Sequence, residues 1–196
     1  MALPVNTTRL AIAAVVFSVA SGNAYADRSA ALKDAYVSYN NAGLHYIEQD
    51  LDDYNCNQDG LRAYASVDID GHWYALGSVT DVSGNHGCGS STLAAGAGYR
   101  TAFSPSFDLY GTLSVEHTSP DNGSNDTGLI AAAGLRGIIY NNIEGKAEIA
   151  HHTAFRDTTA LNLGANYWFT RTIAATLDTS LSDEGNSIAA GARINF

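Results

Sequence analysis

The tetrapeptide Glu116-His117-Thr118-Ser119 places an imidazole two positions from a hydroxyl. In an extended strand such residues point to the same side, so His117 could draw the proton from Ser119, as a serine hydrolase requires. A hydrolase also needs a third group that orients the base. No clear orienting acid falls on that side of the strand, and the plainer reading of His117 is a rim histidine beside a turn. His151-His152 carries still less.

A larger set of reactive side chains recurs at alternate positions of alternating segments: Arg62, Asp68, Arg100, Asp108, Glu116, Arg136, Glu144, Lys146, Glu148, Asp178 and Arg193. Both signs occur in comparable numbers. Such charges tolerate removal from water only when paired and hydrogen-bonded. Acidic stretches add Glu48, Asp50, Asp52, Asp53 and Asp59, then Asp121, Asp126, Asp183 and Glu184. QDLDDYNCNQDG lacks the spaced ligands and closing Glu of a calcium loop, and Cys and His fall at no zinc spacing. The sequence implies no metal and no cofactor; the acidic stretches read as solvated surface.

The elements that position these residues begin after a leader. Arg9, the apolar run Leu10–Ala20 and the small-x-small end Ala24-Tyr25-Ala26 predict a signal peptide over residues 1–26. Residues 27–36 are expected to be a short periplasmic segment, and residues 37–196 the folded domain. The chain carries a net charge of −10 at pH 7, which argues against nucleic acid as a partner. Cys56 and Cys88 are its two cysteines, and an even pair in an exported chain predicts a disulfide, here between two loops.

Within 37–196, ten runs alternate with period two. Leu61, Ala63, Ala65, Val67 and Ile69 oppose Arg62, Tyr64, Ser66 and Asp68; Phe107, Leu109, Gly111, Leu113 and Val115 oppose Asp108, Tyr110, Thr112, Ser114 and Glu116. Each run has about nine to eleven residues, enough for a tilted strand to cross a hydrocarbon layer. Tight connections (IDGH, FSPSF, IYNNI, FTRTI) alternate with longer polar ones. That rhythm predicts an all-β fold: a transmembrane antiparallel up-and-down β-barrel of ten strands, with eight strands and an outlying hairpin as the alternative. Trp73, Phe103, Phe107, Tyr140, Trp168, Phe169 and Phe196 lie beside tight turns or at the end of the chain, and are expected to form an interfacial aromatic girdle. The charged face would then line the lumen, Arg100 near Asp108 and Arg136 near Glu144. Barrels near eight strands are filled by side chains, so a charge-plugged lumen is expected, although glycines such as Gly96, Gly98 and Gly164 could leave room for water.

The leader, the alternating strands, the two kinds of connection and the terminal aromatic resemble the small bacterial outer-membrane β-barrels, the OmpA-membrane-domain and OmpX-like group. The resemblance covers about residues 37–196 and lies in architecture. It implies a Gram-negative outer membrane as location, outer-membrane lipid and lipopolysaccharide as neighbours, and the barrel-assembly machinery as a partner that reads Phe196 with Ile194 and Ala192. The commonest members have eight strands, against ten here, and no peptidoglycan-binding domain is evident. A PagL-like lipid A deacylase of similar fold uses an H-x-S pair, but follows its Ser with Asn where this chain has Pro120. The expected role is structural or surface-contacting and non-enzymatic, through disulfide-tied loops whose extracellular partner the sequence does not name. A narrow porin is the alternative, and a lipid hydrolase the second.

Overall fold

The computed structural model describes residues 23–51, 56–84, 88–155 and 157–196. The signal peptide expectation falls mostly on residues 1–22, outside the described residues. One helix, α1 (Asn23–Tyr36), precedes ten strands: β1 (Asn41–Leu51), β2 (Cys56–Asp68), β3 (Trp73–Gly84), β4 (Ser90–Ala102), β5 (Phe107–Pro120), β6 (Asp126–Tyr140), β7 (Ile143–His152), β8 (Thr158–Trp168), β9 (Ile173–Ser182) and β10 (Gly185–Asn195). Every strand pairs antiparallel with its sequence neighbour, and β1 closes on β10 from Asn41 opposite Asn195 to Leu51 opposite Gly185. The barrel therefore has ten strands, all within the closed sheet, and leaves no hairpin outside. From His45, cross-strand partners lead through β2 to β5 to Asp126, but through β10 to β7 to Ile138. Both lie on β6, so closure is staggered and the strands tilt, as a barrel requires.

Alternation decides which side chains face in. Leu93, Leu113, Ile149 and Leu177 stand on the outer wall, Leu113 59% exposed, while Asp108, Glu116, Arg136, Glu144 and Arg193 are buried inside. An apolar belt around a closed sheet with a polar interior is the reverse of a soluble core, and a belt of this extent needs a nonpolar surrounding. No described helix is long and apolar enough to cross a membrane; the strands provide the crossing.

The connections at the end holding the termini are tight. Asn141 and Asn142 join β6 to β7, with Asn141 in the left-handed region that Asn tolerates. In the β2–β3 turn Gly71 takes positive φ, and the Asp70 carboxylate accepts the backbone N–H groups of His72 and Trp73. The opposite connections are shorter than the polar stretches suggest. Strands β2, β5 and β6 are 13, 14 and 15 residues long and extend into them. Cys56 accordingly opens β2 rather than lying in a loop, while Cys88 does lie just before β4; the two are disulfide-bonded. Strand pairing satisfies backbone groups whatever the polarity of the side chains, so the ladder continues beyond the apolar belt.

Trp168 corrects the girdle expectation. It is 1% exposed and points into the lumen, whereas Trp73, Phe103, Tyr140, Phe169 and Phe196 are at least half exposed on the outer rim. Phe107 is half-buried. Phe196 is held at its backbone, its N–H donating to Asn40 O at 3.1 Å.

Candidate functional site

The lumen is built in tiers, and the lowest is a seal. After α1 the chain enters the barrel mouth, so that Val37 and Tyr39 are buried against Tyr74 of β3 and Ile138 of β6. Residues 27–36, expected as a short periplasmic segment, belong to a helix whose end is docked: Lys33 Nζ lies 2.9 Å from Asp108 Oδ1, and Tyr36 stacks on Trp168 with ring centres 5.9 Å apart.

Glu144 is the hub of this tier and is 0% exposed. It accepts from Arg136 Nε, from Arg193 Nη1 at 3.1 Å and from the Trp168 indole N–H at 3.0 Å. Arg136 and Arg193 also donate to Ser38 O, at 3.0 and 2.6 Å, and Asn195 donates to Tyr36 O at 2.9 Å. The Tyr39 ring lies between the guanidiniums of Arg100 and Arg136, at 4.3 and 4.8 Å. Arg100 pairs with Asp68 and lies 3.7 Å from Asp108. Charge-assisted bonds of this kind are roughly twice as strong as neutral ones, and here they bind the N-terminal segment to β5, β6 and β10.

The middle tier contains His45, Arg62, Lys146 and Asp178. His45 Nε2 meets Thr176 Oγ1 at 2.7 Å, while Asp178 sits 3.7 Å from His45 Nδ1 and 3.9 Å from Lys146 Nζ. Nearer the outer end, Glu148 accepts from Tyr110 (2.7 Å) and Asn162 (2.9 Å), and Glu116 faces His152 Nδ1 at 3.2 Å. Glycines do not leave the expected gaps everywhere. Gly43 faces Tyr64 and Gly98 faces Tyr74 across the ladder, and the tyrosine ring lies over the position where a Cβ would stand. A bare glycine backbone admits the facing ring, which fills the lumen in its place. A cavity of about 500 Å³ remains, from Tyr39 at the seal to Gln49 and Ser187 near the outer strand ends.

All eleven expected charges thus face the interior, in three groups rather than one network. The sequence reading sets Tyr110 on the charged face, but it passes over His45 and gives His152 and Trp168 other roles. Strict parity would have found them, since Trp168 continues the inward series Asn162, Gly164, Asn166. Nothing in the alternation points to Ser38 or Tyr39, which precede β1. Outside, His117 and Ser119 do share a face, with 3.5 Å between Nε2 and Oγ. Where a hydrolase would hold an acid, His117 Nδ1 meets the Thr127 hydroxyl at 2.8 Å. The nearby Asp126 is engaged by the backbone N–H groups of Thr127 and Phe155, which hold its carboxyl below the usual range. Among the described residues no cluster of three or more His, Cys, Asp or Glu could hold a metal ion.

No protein family and no curated protein matches this chain by sequence. Solved structures do match in shape. The KdgM porin in complex with disordered oligogalacturonate superimposes with a TM-score of 0.50 at 7% identity, covering 80% of this chain and 99% of the porin. The fold is that of an outer-membrane β-barrel. The β domain of the Bordetella autotransporter BrkA (TM-score 0.48, 14% identity, 80% and 98% coverage) and the translocator domain of the autotransporter NalP from Neisseria meningitidis (0.43, 12%, 89% and 95%) also align with the barrel. At such identities the likeness concerns the fold alone.

Proposed function

We propose that the protein is an integral outer-membrane barrel of the small OmpA-membrane-domain and OmpX-like kind, with a structural, surface-facing and non-enzymatic role. Its lumen is closed toward the periplasm, its cavity faces outward, and its Cys56–Cys88 bridge fixes the outer end. The observation that supports this reading is the seal: Glu144, held by Arg136 and Arg193, which both bond Ser38 of the N-terminal segment. A lumen crossed by its own chain and locked by buried ion pairs does not conduct at rest.

The cavity of about 500 Å³ favours a second reading, a narrow porin. Planar-bilayer recording separates the two. The mature barrel is expected to be silent, and a variant lacking residues 27–39 to show discrete conductance steps. Reproducible ion-selective steps from the intact barrel would favour the porin and overturn the sealed reading. The His117 and Ser119 pair is tested separately: His117→Ala is expected to leave lipid A and phospholipid profiles unchanged, and a changed profile would reverse the non-enzymatic assignment.

A further inference from the structure

Among the described lumenal residues every lysine and arginine but one has a carboxylate within ion-pair distance, and every carboxylate but Glu148 has a basic partner. Asp68 and Asp108 have Arg100 and Lys33, Glu144 has Arg136 and Arg193, Glu116 has His152, and Asp178 has His45 and Lys146. Glu148 is committed to Tyr110 and Asn162. Arg62 is left over. Its Nε donates to Thr80 Oγ1 at 3.0 Å, no described carboxylate makes an ion pair with it, and Asp178 attracts it only from beyond that distance. It faces the cavity, directly across the ladder from His45.

A guanidinium in a confined lumen is costly without a counter-charge, and its planar fork of donors matches a carboxylate. The walls beside it carry aromatic rings and small hydroxyls: Tyr64, Tyr74, Ser66, Ser78 and Thr80. Such walls suit a solute bearing hydroxyl groups. About 500 Å³ accommodates a solute of sugar size, and the cavity extends to the outer strand ends. We propose that this cavity is a binding site for a small hydroxylated carboxylate, entering from the outer mouth and anchored by Arg62. The site lies above the seal and rests on the reading of a lumen closed beneath it.

The test uses the refolded mature barrel in detergent micelles, titrated calorimetrically with sodium D-glucuronate at fixed chloride concentration. D-Glucose, which lacks the carboxylate, is the control. Glucuronate is expected to give saturable heat and glucose none. Arg62→Met is expected to weaken glucuronate at least tenfold, the loss of a charge-assisted pair being worth roughly ten- to a hundredfold, and Arg62→Lys to retain part of the affinity. Because no described carboxylate makes an ion pair with Arg62, Arg62→Met is also expected to leave the urea midpoint unchanged or raised. Absent heat, equal binding of glucose, undiminished binding by Arg62→Met, or a lowered midpoint would each overturn the proposal. Absence of glucuronate heat from an unaltered barrel that stays silent in bilayers refutes the site and leaves the seal standing.

Discussion

Replacing Glu144 by Gln tests the hub of the seal. The substitution preserves size and can still accept the Trp168 N–H, but removes the negative charge between two guanidiniums. Arg136 and Arg193 then share a site that is 0% exposed at residue 144 and remain 92% or more buried themselves, their carboxylate gone. Breaking a buried pair by removing one partner costs about 3–5 kcal/mol, because the orphaned charge stays desolvated. With a urea slope of about 2 kcal/mol/M, the unfolding midpoint is expected to fall by about 2 M. The assay is urea unfolding of the refolded barrel, followed by loss of the fast-migrating folded form in unheated gels. Arg193→Met in the Glu144→Gln background removes one of the orphaned cations, so the double variant should be more stable than the sum of the single losses by about 1–3 kcal/mol. A midpoint shift under about 0.5 M, or strict additivity, would refute the hub.

Three further outcomes follow from separate parts of the barrel. The Cys56–Cys88 bridge closes a separation of 32 residues, so Cys56→Ser/Cys88→Ser should lose about 3–4 kcal/mol of stability, measured by urea unfolding, and reductant should then have no further effect. The Asp70 carboxyl is held below its usual range by the N–H groups of Trp73 and His72, so its contribution is full above the unfolded value near pH 4 and is lost as pH falls through the lower folded value; Asp70→Asn should flatten that acid limb of the stability profile. Phe196 is 67% exposed on the rim; if it serves assembly, as the resemblance to outer-membrane barrels implies, Phe196→Ala should lower the amount of folded barrel in cell envelopes while the purified chain still refolds into micelles.

Side-chain parity made most of the barrel legible. Clean alternation in β2 and β5 predicts both the strands and the face that Arg62, Asp68, Asp108 and Glu116 share, because each lumenal residue is flanked by residues that meet the nonpolar surroundings. Where the reading departed from parity it failed. Nearness to a turn groups Trp168 with the rim aromatics, although position 168 continues the inward series of β8. Strand β1 hid His45 because Ile47, fully buried among Val82 and Ala189, breaks the polar run of the inner face. The outer strand ends were unreadable for another reason: beyond the belt neither face needs to be apolar, so the pairing there leaves no pattern. The N-terminal segment was harder still. Besides Lys33, Tyr36, Val37 and Tyr39 it is held through Ser38 O and Tyr36 O, and backbone carbonyls carry no signature in a sequence.

The central claim is that one side of each strand meets acyl chains while the other lines a closed interior, and the two tryptophans report on the two sides. Trp73 is 50% exposed on the outer wall and Trp168 is 1% exposed within the seal. Fluorescence of Trp168→Phe and Trp73→Phe barrels, reconstituted in vesicles of lipid brominated near the head of the acyl chain, reads each in isolation. The account predicts strong quenching of Trp73 and little of Trp168. Equal quenching of both, or none of Trp73, would contradict it.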